Sequence, residues 1–479
     1  MTRSAAASRR PTVDGLILFV FLVAVALLGG SSRADTLSLV ILRPLAALFL
    51  AVGVVRSFRR WKDYRMPIAF LLAGVLVVAA QLVPLPPSIW TSLPGREPLV
   101  EVMRVLNVPD VWRPLSMQPA RTSNALFSLL VPAATLFLCI AAGPRGTRQA
   151  AYVLLALGGL GALLGVLQVI GPDSSPLYLY RNTGEGFANG LFANRNHHAA
   201  FIACLLPLIA IVAAESGKDQ HRGQAVQWML SAFALFLIAL LLMTGSRAGL
   251  LLGMIGMGGG MWVFSLGRAP RGSRPSGRFA AVRRWAPALL AVGALTLLIV
   301  LSVVAARAPS IARLFGDGME GGRRLVVYPT VLRMVPIYFP FGSGFGTFAE
   351  VFQINEPDAI LGPTYLNQAH NDWLQIVIEG GLAAAVAALA ALAALVRLSM
   401  RMLSRPVTGR TAPLLGRAGL IVLVVIALAS VVDYPARAPS IAALVVVALM
   451  WMLDAVGERE REGWQSDVNP PRSRQPVLG

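Results

Sequence analysis

The chain has 479 residues, of which 56% are apolar and only 14% charged, and its mean hydropathy is +0.67. Soluble domains average about 45–50% apolar and about 25% charged, which excludes an ordinary cytosolic globule. Lys and Arg outnumber Asp and Glu by 42 to 23, but the excess sits between apolar runs of bilayer-spanning length, so it reads as membrane topology and not as a nucleic-acid footprint.

Twelve helical spans are expected in chain order, at 15–30, 36–55, 67–83, 123–142, 150–170, 197–214, 225–243, 248–266, 286–306, 374–396, 412–432 and 440–455. Each must be helical, because lipid offers no partner for backbone N–H and C=O groups. Cys139 and Cys204 lie inside apolar runs, so no disulfide framework is implied. Arg9 and Arg10 ahead of the first run allow a cleaved secretory signal, but the exit Gly29 to Ser32 reads equally as a short loop, and a retained helix is expected.

Orientation follows from where Lys and Arg collect. With a cytoplasmic N-terminus, the inner gaps hold Arg56 to Arg65, Arg145 and Arg148, Lys218 and Arg222, Arg268 to Arg284, and Arg397 to Arg417. With both tails, that places 27 basic residues inside against 14 outside, and one, Arg43, within a span. The organisation expected is an N-terminal cytoplasmic tail at 1–14, a transmembrane domain at 15–455, and a disordered cytoplasmic tail at 456–479.

Two external segments are long. Residues 84–122, with Trp90 and Trp112, read as an irregular interfacial stretch. Residues 307–373 are far longer than a helix connection needs, and too aromatic and apolar for disorder. Residues 382–395 are an Ala/Leu run expected to form a plain membrane helix.

Polar residues at the ends of spans ask for a reason. Three clusters share the outer face: Gly190 to His198 (GLFANRNHH), Thr244 to Arg247 (TGSR) and Asn367 to Trp373 (NQAHNDW). Two arginines and a histidine at one face suit an anionic substrate that needs a proton moved. The guanidinium fork pairs with phosphate oxygens, and imidazole is the commonest general base. Of four histidines His221 is internal, leaving His197, His198 and His370. His370 sits among Asn, Gln and Asp that could orient its ring. His197 and His198 read more simply as residues at a helix start satisfied by backbone, and Arg195 and Arg247 could be snorkelling anchors. The glycine-rich run Phe341 to Phe348 lacks a surrounding strand–helix unit, so it reads as backbone packed closely against a membrane surface rather than as a nucleotide loop. No pattern of metal ligands is evident, and no metal or cofactor is expected.

At these residues the sequence resembles the O-antigen ligase and polymerase superfamily of bacterial glycan-assembly membrane proteins. The resembling stretches are Gln81 to Pro87, Gly190 to His197, Leu242 to Gly249, Gly322 to Met334, Gly342 to Phe348, Ala369 to Gln375 and Val432 to Pro435. They run in the family's order over roughly residues 80–440. The resemblance implies an all-α polytopic membrane protein, GT-C-like, with a large periplasmic loop carrying short helices. It implies a metal-independent inverting glycosyltransferase of the bacterial inner membrane. Its donor would be a glycan on undecaprenyl diphosphate, and its acceptor a sugar hydroxyl of lipid A-core or of another glycan. Carried over by position, His370 matches the base, Arg195 and Arg247 match the arginines that hold the diphosphate, and Arg324 matches the arginine opening the large loop's amphipathic helix and is expected to bind diphosphate with them; Asn196, Asn371 and Asp372 are read as supporting residues. Tyr328 stands where the family often has Trp. The same donor and chemistry serve a ligase and a polymerase of O-antigen or exopolysaccharide repeats. A transporter or flippase is the reading from another class; it would call for charges at mid-span and a repeat between halves.

Overall fold

The computed structural model describes residues 11–216, 222–267, 319–362, 365–404, 407 and 411–468. The ninth expected span, 286–306, and the side chain of Arg324 lie outside the described residues. The described residues are predominantly helical. In order the helices are α1 (Val13–Leu28), α2 (Ser38–Ser57), α3 (Arg65–Ala80), the short α4 (Pro87–Trp90), α5 (Glu97–Val105) and α6 (Pro119–Ser128), then α7 (Leu130–Ile170), α8 (Arg195–Ser216), α9 (Arg222–Met243) and α10 (Arg247–Gly267). They continue as α11 (Met319–Tyr338), α12 (Phe348–Asn355), α13 (Asp372–Leu403), α14 (Thr411–Val432) and α15 (Pro439–Val468).

Among the described residues, eight helices are long and apolar enough to cross a membrane. Two of them, Ser38–Ala80 with 43 residues and Pro119–Ile170 with 52, are at least twice the ~20 residues a crossing needs. Each contains two of the spans read from the sequence, and each is interrupted where the basic residues cluster. The first breaks at a 3-10 turn, Phe58–Tyr64, that carries Arg59, Arg60 and Lys62. The second breaks at Gly143, whose φ of 66° leads into Pro144, Arg145 and Arg148.

The core joins α1, α2, α7, α8, α10, α14 and α15 through Leu18, Phe21, Leu42, Leu138, Ile202, Val263, Val422 and Trp451. α8 is the most enclosed span. Small residues let its neighbours approach, as where a Cβ on Gly256 would stand 2.2 Å from the Ala203 carbonyl oxygen.

Three findings correct the sequence reading. Residues 84–122 are not irregular. They hold α4 to α6 and a two-residue antiparallel ladder pairing Pro84–Leu85 with Arg113–Pro114. The segment is held by a buried Arg96, which donates to the carbonyls of Pro94 (2.9 Å), Leu115 (2.7 Å) and Gly342 (2.8 Å). Burial pushes this guanidinium down to about 10.

The span expected at 374–396 is broken at Gly381 (φ 60°, ψ −151°), whereas the Ala/Leu run at 382–395 is the plain helix expected. The freed carbonyls of Ile378 and Glu379 accept the N–H groups of Ser343 and Gly344, both at 2.9 Å, and Leu382 N–H reaches Pro340 O at 2.7 Å. So the glycine-rich run packs against a broken helix and not a bare membrane surface. A Cβ on Gly342 would lie 2.4 Å from the Glu379 carbonyl oxygen. The piece from 382 to 403, at ~1.5 Å per residue, still crosses a hydrocarbon layer of ~30 Å. Finally, α15 continues past Gly457 to Val468 through a Glu/Arg run of good helix formers.

Candidate functional site

The site is assembled from three helix starts and one helix end. The connection into α8 is pinned by Gln168, whose Oε1 accepts the N–H groups of Asn189 (3.0 Å) and Gly190 (2.8 Å). Its Nε2 donates to the carbonyls of Leu177 (2.9 Å) and Gly190 (3.0 Å). His198 is paired at Nδ1 with the Ala188 carbonyl at 2.7 Å and faces into the bundle, so for this residue the backbone-satisfied reading holds. The preceding two residues point elsewhere. Asn196 Nδ2 donates to Asp433 Oδ2 at 2.8 Å, and His197 Nε2 stands 3.9 Å from Asp433 Oδ1. His197 is 1% exposed, and neither ring nitrogen has a hydrogen-bond partner, so it is not the backbone-satisfied residue the sequence suggested.

His370 precedes α13 in a left-handed conformation, φ 52°, a region His visits more readily than most side chains. Its neighbours hold it there. Asn371 caps α13 by accepting Leu374 N–H at 3.0 Å, and its Nδ2 donates to Tyr328 on α11 at 3.3 Å. Gln375 accepts Ala369 N–H at 2.8 Å. His370 Nδ1 then lies 3.5 Å from Asp433 Oδ1, close enough for strong electrostatic coupling without a formed hydrogen bond. Catalytic hydrogen bonds are often this long without substrate and tighten on binding.

Asp433 is the hub. It follows α14, is 4% exposed, and accepts the Tyr434 N–H at Oδ1 (3.0 Å) as well as the Asn196 amide. The Tyr434 ring packs against both imidazoles, at 5.1 Å from His370 and 5.3 Å from His197 between ring centroids. Below lies a second charged group. Arg437 donates to Asp372 Oδ1 at 2.6 Å and sits 3.5 Å from Glu379 Oε2. Burial alone would lower the Arg437 pKa, but the two carboxylates outweigh it and hold the guanidinium above its ordinary range. Glu379 is fully buried and accepts Phe348 N–H (3.1 Å) and Gln375 Nε2 (2.9 Å), tying the glycine-rich run to the floor of the site.

The Arg195 guanidinium lies 3.9 Å over the Phe187 ring. A Cβ on Gly245 would stand 2.8 Å from that ring and 3.8 Å from Arg195 Nη1, so the turn carrying Arg247 packs on Arg195. Ser246 caps α10 by accepting Gly249 N–H at 2.9 Å, leaving Arg247 exposed as the helix's first residue.

The structure thus gathers Asn196, His197 and His370 around Asp433, with Arg195 next to Asn196 in the chain and packed by the turn that carries Arg247. Asn371 acts as a helix cap, and Asp372 pairs with Arg437 rather than with His370. Sequence reasoning singled out neither Asp433 nor Tyr434 as a site residue, though both stand in one of the resembling stretches. The signal available was an acid at the outer end of an apolar span, on the face already carrying the other clusters. Arg437 and Glu379 gave no such signal.

Residues 232–389 match the family model described as O-antigen ligase. The match begins within α9, includes Arg247, His370, Asn371 and Asp372, and ends within α13, so the resemblance read from the sequence holds over this segment. It supports glycan ligation or polymerisation as the class of activity, in a multi-pass membrane protein. No curated protein matches the chain at a significant level.

Proposed function

We propose that the protein is a metal-independent inverting glycosyltransferase with twelve spans and a GT-C-like fold. It transfers a glycan from undecaprenyl diphosphate to a sugar hydroxyl of lipid A-core, at the periplasmic face of the inner membrane. The observation that carries this reading is the Asp433-backed His370, 3.5 Å from the carboxylate, on the same helix-start platform as Arg195.

The chemistry follows from those positions. With Nδ1 turned to Asp433, the His370 Nε2 is the nitrogen left to accept the acceptor's hydroxyl proton. As that O–H bond breaks, the acceptor oxygen bonds to the anomeric carbon. The bond from that carbon to the diphosphate oxygen breaks, and its electron pair leaves with the diphosphate. Attack from the face opposite the leaving group inverts the anomeric centre. Arg195, Arg247 and Arg324 meet the charge that develops on the diphosphate, and preorganised charge of this kind is usually the largest catalytic contribution. Proton removal by a positioned base adds about 10²–10⁴ in rate. Asp433 stabilises the imidazolium and fixes the ring, held in turn by Asn196 and the Tyr434 N–H.

The test compares a deletion in the native host with His370→Ala and Arg247→Ala, resolving lipopolysaccharide on gels and extracting lipid-linked glycan. Core-only lipopolysaccharide with accumulated long lipid-linked chains in every strain is the expected result. A single repeat capping the core, or loss of an exported polysaccharide with intact lipopolysaccharide, would make it a polymerase. Wild-type behaviour of both point variants would remove the catalytic assignment and bring transport forward.

A further inference from the structure

The mechanism above gives no role to His197, a buried titratable group beside Asp433. His197 stands with Nε2 3.9 Å from the same Asp433 Oδ1 that His370 faces at 3.5 Å. It is 1% exposed, and both its nitrogens lack a hydrogen-bond partner. A buried polar group left unpaired is costly and calls for an explanation. The ring fills its space through an edge-on contact with Tyr434 (interplanar angle 86°), a contact phenylalanine would make equally well without that cost. The groups facing His197 come from three elements. They are Asn196 on its own helix, Asp433 and Tyr434 after α14, and His370 and Asp372 at the start of α13.

Resting on the transferase reading, we propose that His197 is a positioning residue that shares Asp433 with His370. In the Nε2–H tautomer it serves as a third donor to the carboxylate, beside Asn196 Nδ2 and the Tyr434 N–H. Closing the 3.9 Å separation by about 1 Å would form that hydrogen bond. A donor to the charged form of a carboxylate weakens its hold on protons. Asp433 therefore stays ionised in a water-poor site, and it orients the His370 imidazole instead of competing with it for the acceptor's proton. The proton taken from the acceptor hydroxyl rests on His370, and His197 keeps its own throughout.

Two replacements separate this role from packing. His197→Gln keeps an N–H donor at about the reach of Nε2 and loses the ring. His197→Phe keeps the ring against Tyr434 and loses the donor. Initial rates of glycan transfer are measured against pH in membranes holding equal amounts of protein. His197→Phe is expected to fall at least about tenfold, with the acid limb of its profile moved to higher pH, because the Asp433–His370 pair then holds a proton more tightly. His197→Gln should recover most of that loss and return the limb towards wild type. Equal losses in both, with an unmoved limb, or a fully active His197→Phe, would overturn the proposal.

A second readout does not depend on turnover. The chain has four histidines, so protein labelled with ¹⁵N only at histidine, in lipid nanodiscs, gives four imidazoles to assign. The signal absent from the His197→Gln protein should report the Nε2–H tautomer and should shift in an Asp433→Asn protein. An Nδ1–H tautomer, or indifference to Asp433→Asn, would refute the role even if the wild type proves to transfer nothing. An inactive wild type with the expected tautomer would overturn the transferase reading alone.

Discussion

Replacing Asp433 by Asn removes one charge and no volume, and the structure sets the size of the effect. Asp433 Oδ1 lies 3.5 Å from His370 Nδ1. At that distance a full charge pair is worth about 5 kcal/mol with an effective dielectric of about 20, and about 1 kcal/mol in bulk water. If the imidazolium forms only as the acceptor proton moves, the difference appears in the barrier, where each ~1.4 kcal/mol is tenfold. The site is shielded, since Asp433 is 4% exposed, so the loss should lie in the upper part of that range, between about 30-fold and about 3,000-fold. The assay is the initial rate of transfer from extracted lipid-linked glycan, in membranes of a complemented deletion strain matched for protein. The substitution also turns an N–H₂ towards the Asn196 amide, which now donates to Oδ2 at 2.8 Å. Pairing Asp433→Asn with Asn196→Asp restores a hydrogen bond there while leaving the carboxylate on the wrong residue. That double variant should regain the stability of the wild type and stay slow. A single variant above half the wild-type rate, or a double variant at full rate, would show that the charge beside His370 does not matter.

Three further outcomes follow from the scaffold. Arg96→Met strands three carbonyls that now accept from a buried guanidinium, and it should cost at least about 3 kcal/mol, read as a lower melting midpoint in detergent; an unchanged midpoint would show that the tie between 84–122 and Gly342 is dispensable. Gly381→Ala places a Cβ 2.2 Å from the Pro340 carbonyl oxygen at a φ of 60°, so the yield of monodisperse protein on size exclusion should collapse, whereas Gly74→Ala, with no neighbour within 4 Å, should leave it intact. Asn371→Ala removes the α13 cap and should lower stability by about 1 kcal/mol, while Asn371→Asp keeps an acceptor for Leu374 N–H and should recover it; equal melting curves for the two would argue against a cap.

The helices were legible because lipid enforces them. An apolar run of about 20 residues has few other fates, and the basic residues mark where the chain turns, as at Arg59 to Lys62 and at Arg145 and Arg148. His370, Arg195 and Arg247 were legible for the complementary reason, as polar groups at span ends. What stayed hidden depends on backbone detail. The break in α13 is written only as Gly380 and Gly381, and glycine is common in membrane helices for packing alone, so nothing local announced that Ser343 and Gly344 would dock there. Arg96 looked like one more external cation until its three carbonyl acceptors folded around it. Asp433 lay in view, but its importance comes from Asn196, 237 residues away in sequence, and no spacing rule reaches that far.

The placement of the two arginines carries a physical argument of its own. Arg195 is the first residue of α8, and Arg247 the first of α10. A helix N-terminus concentrates positive partial charge, so a cation there is disfavoured by roughly the 0.3–1 kcal/mol that an anion would gain. Both sit where a carboxylate would stabilise the helix and a guanidinium does not, and Arg195 is additionally held over Phe187. An anion held beside both would offset both penalties at once. The α13 start, with His370 just before it, joins the same face through Asp433. The two helix starts are thus places where a bound anion would be stabilised both by the guanidinium groups and by the helix dipoles. Under the proposed transfer, that stabilisation would grow as negative charge builds on the departing diphosphate, which is the differential stabilisation that catalysis requires.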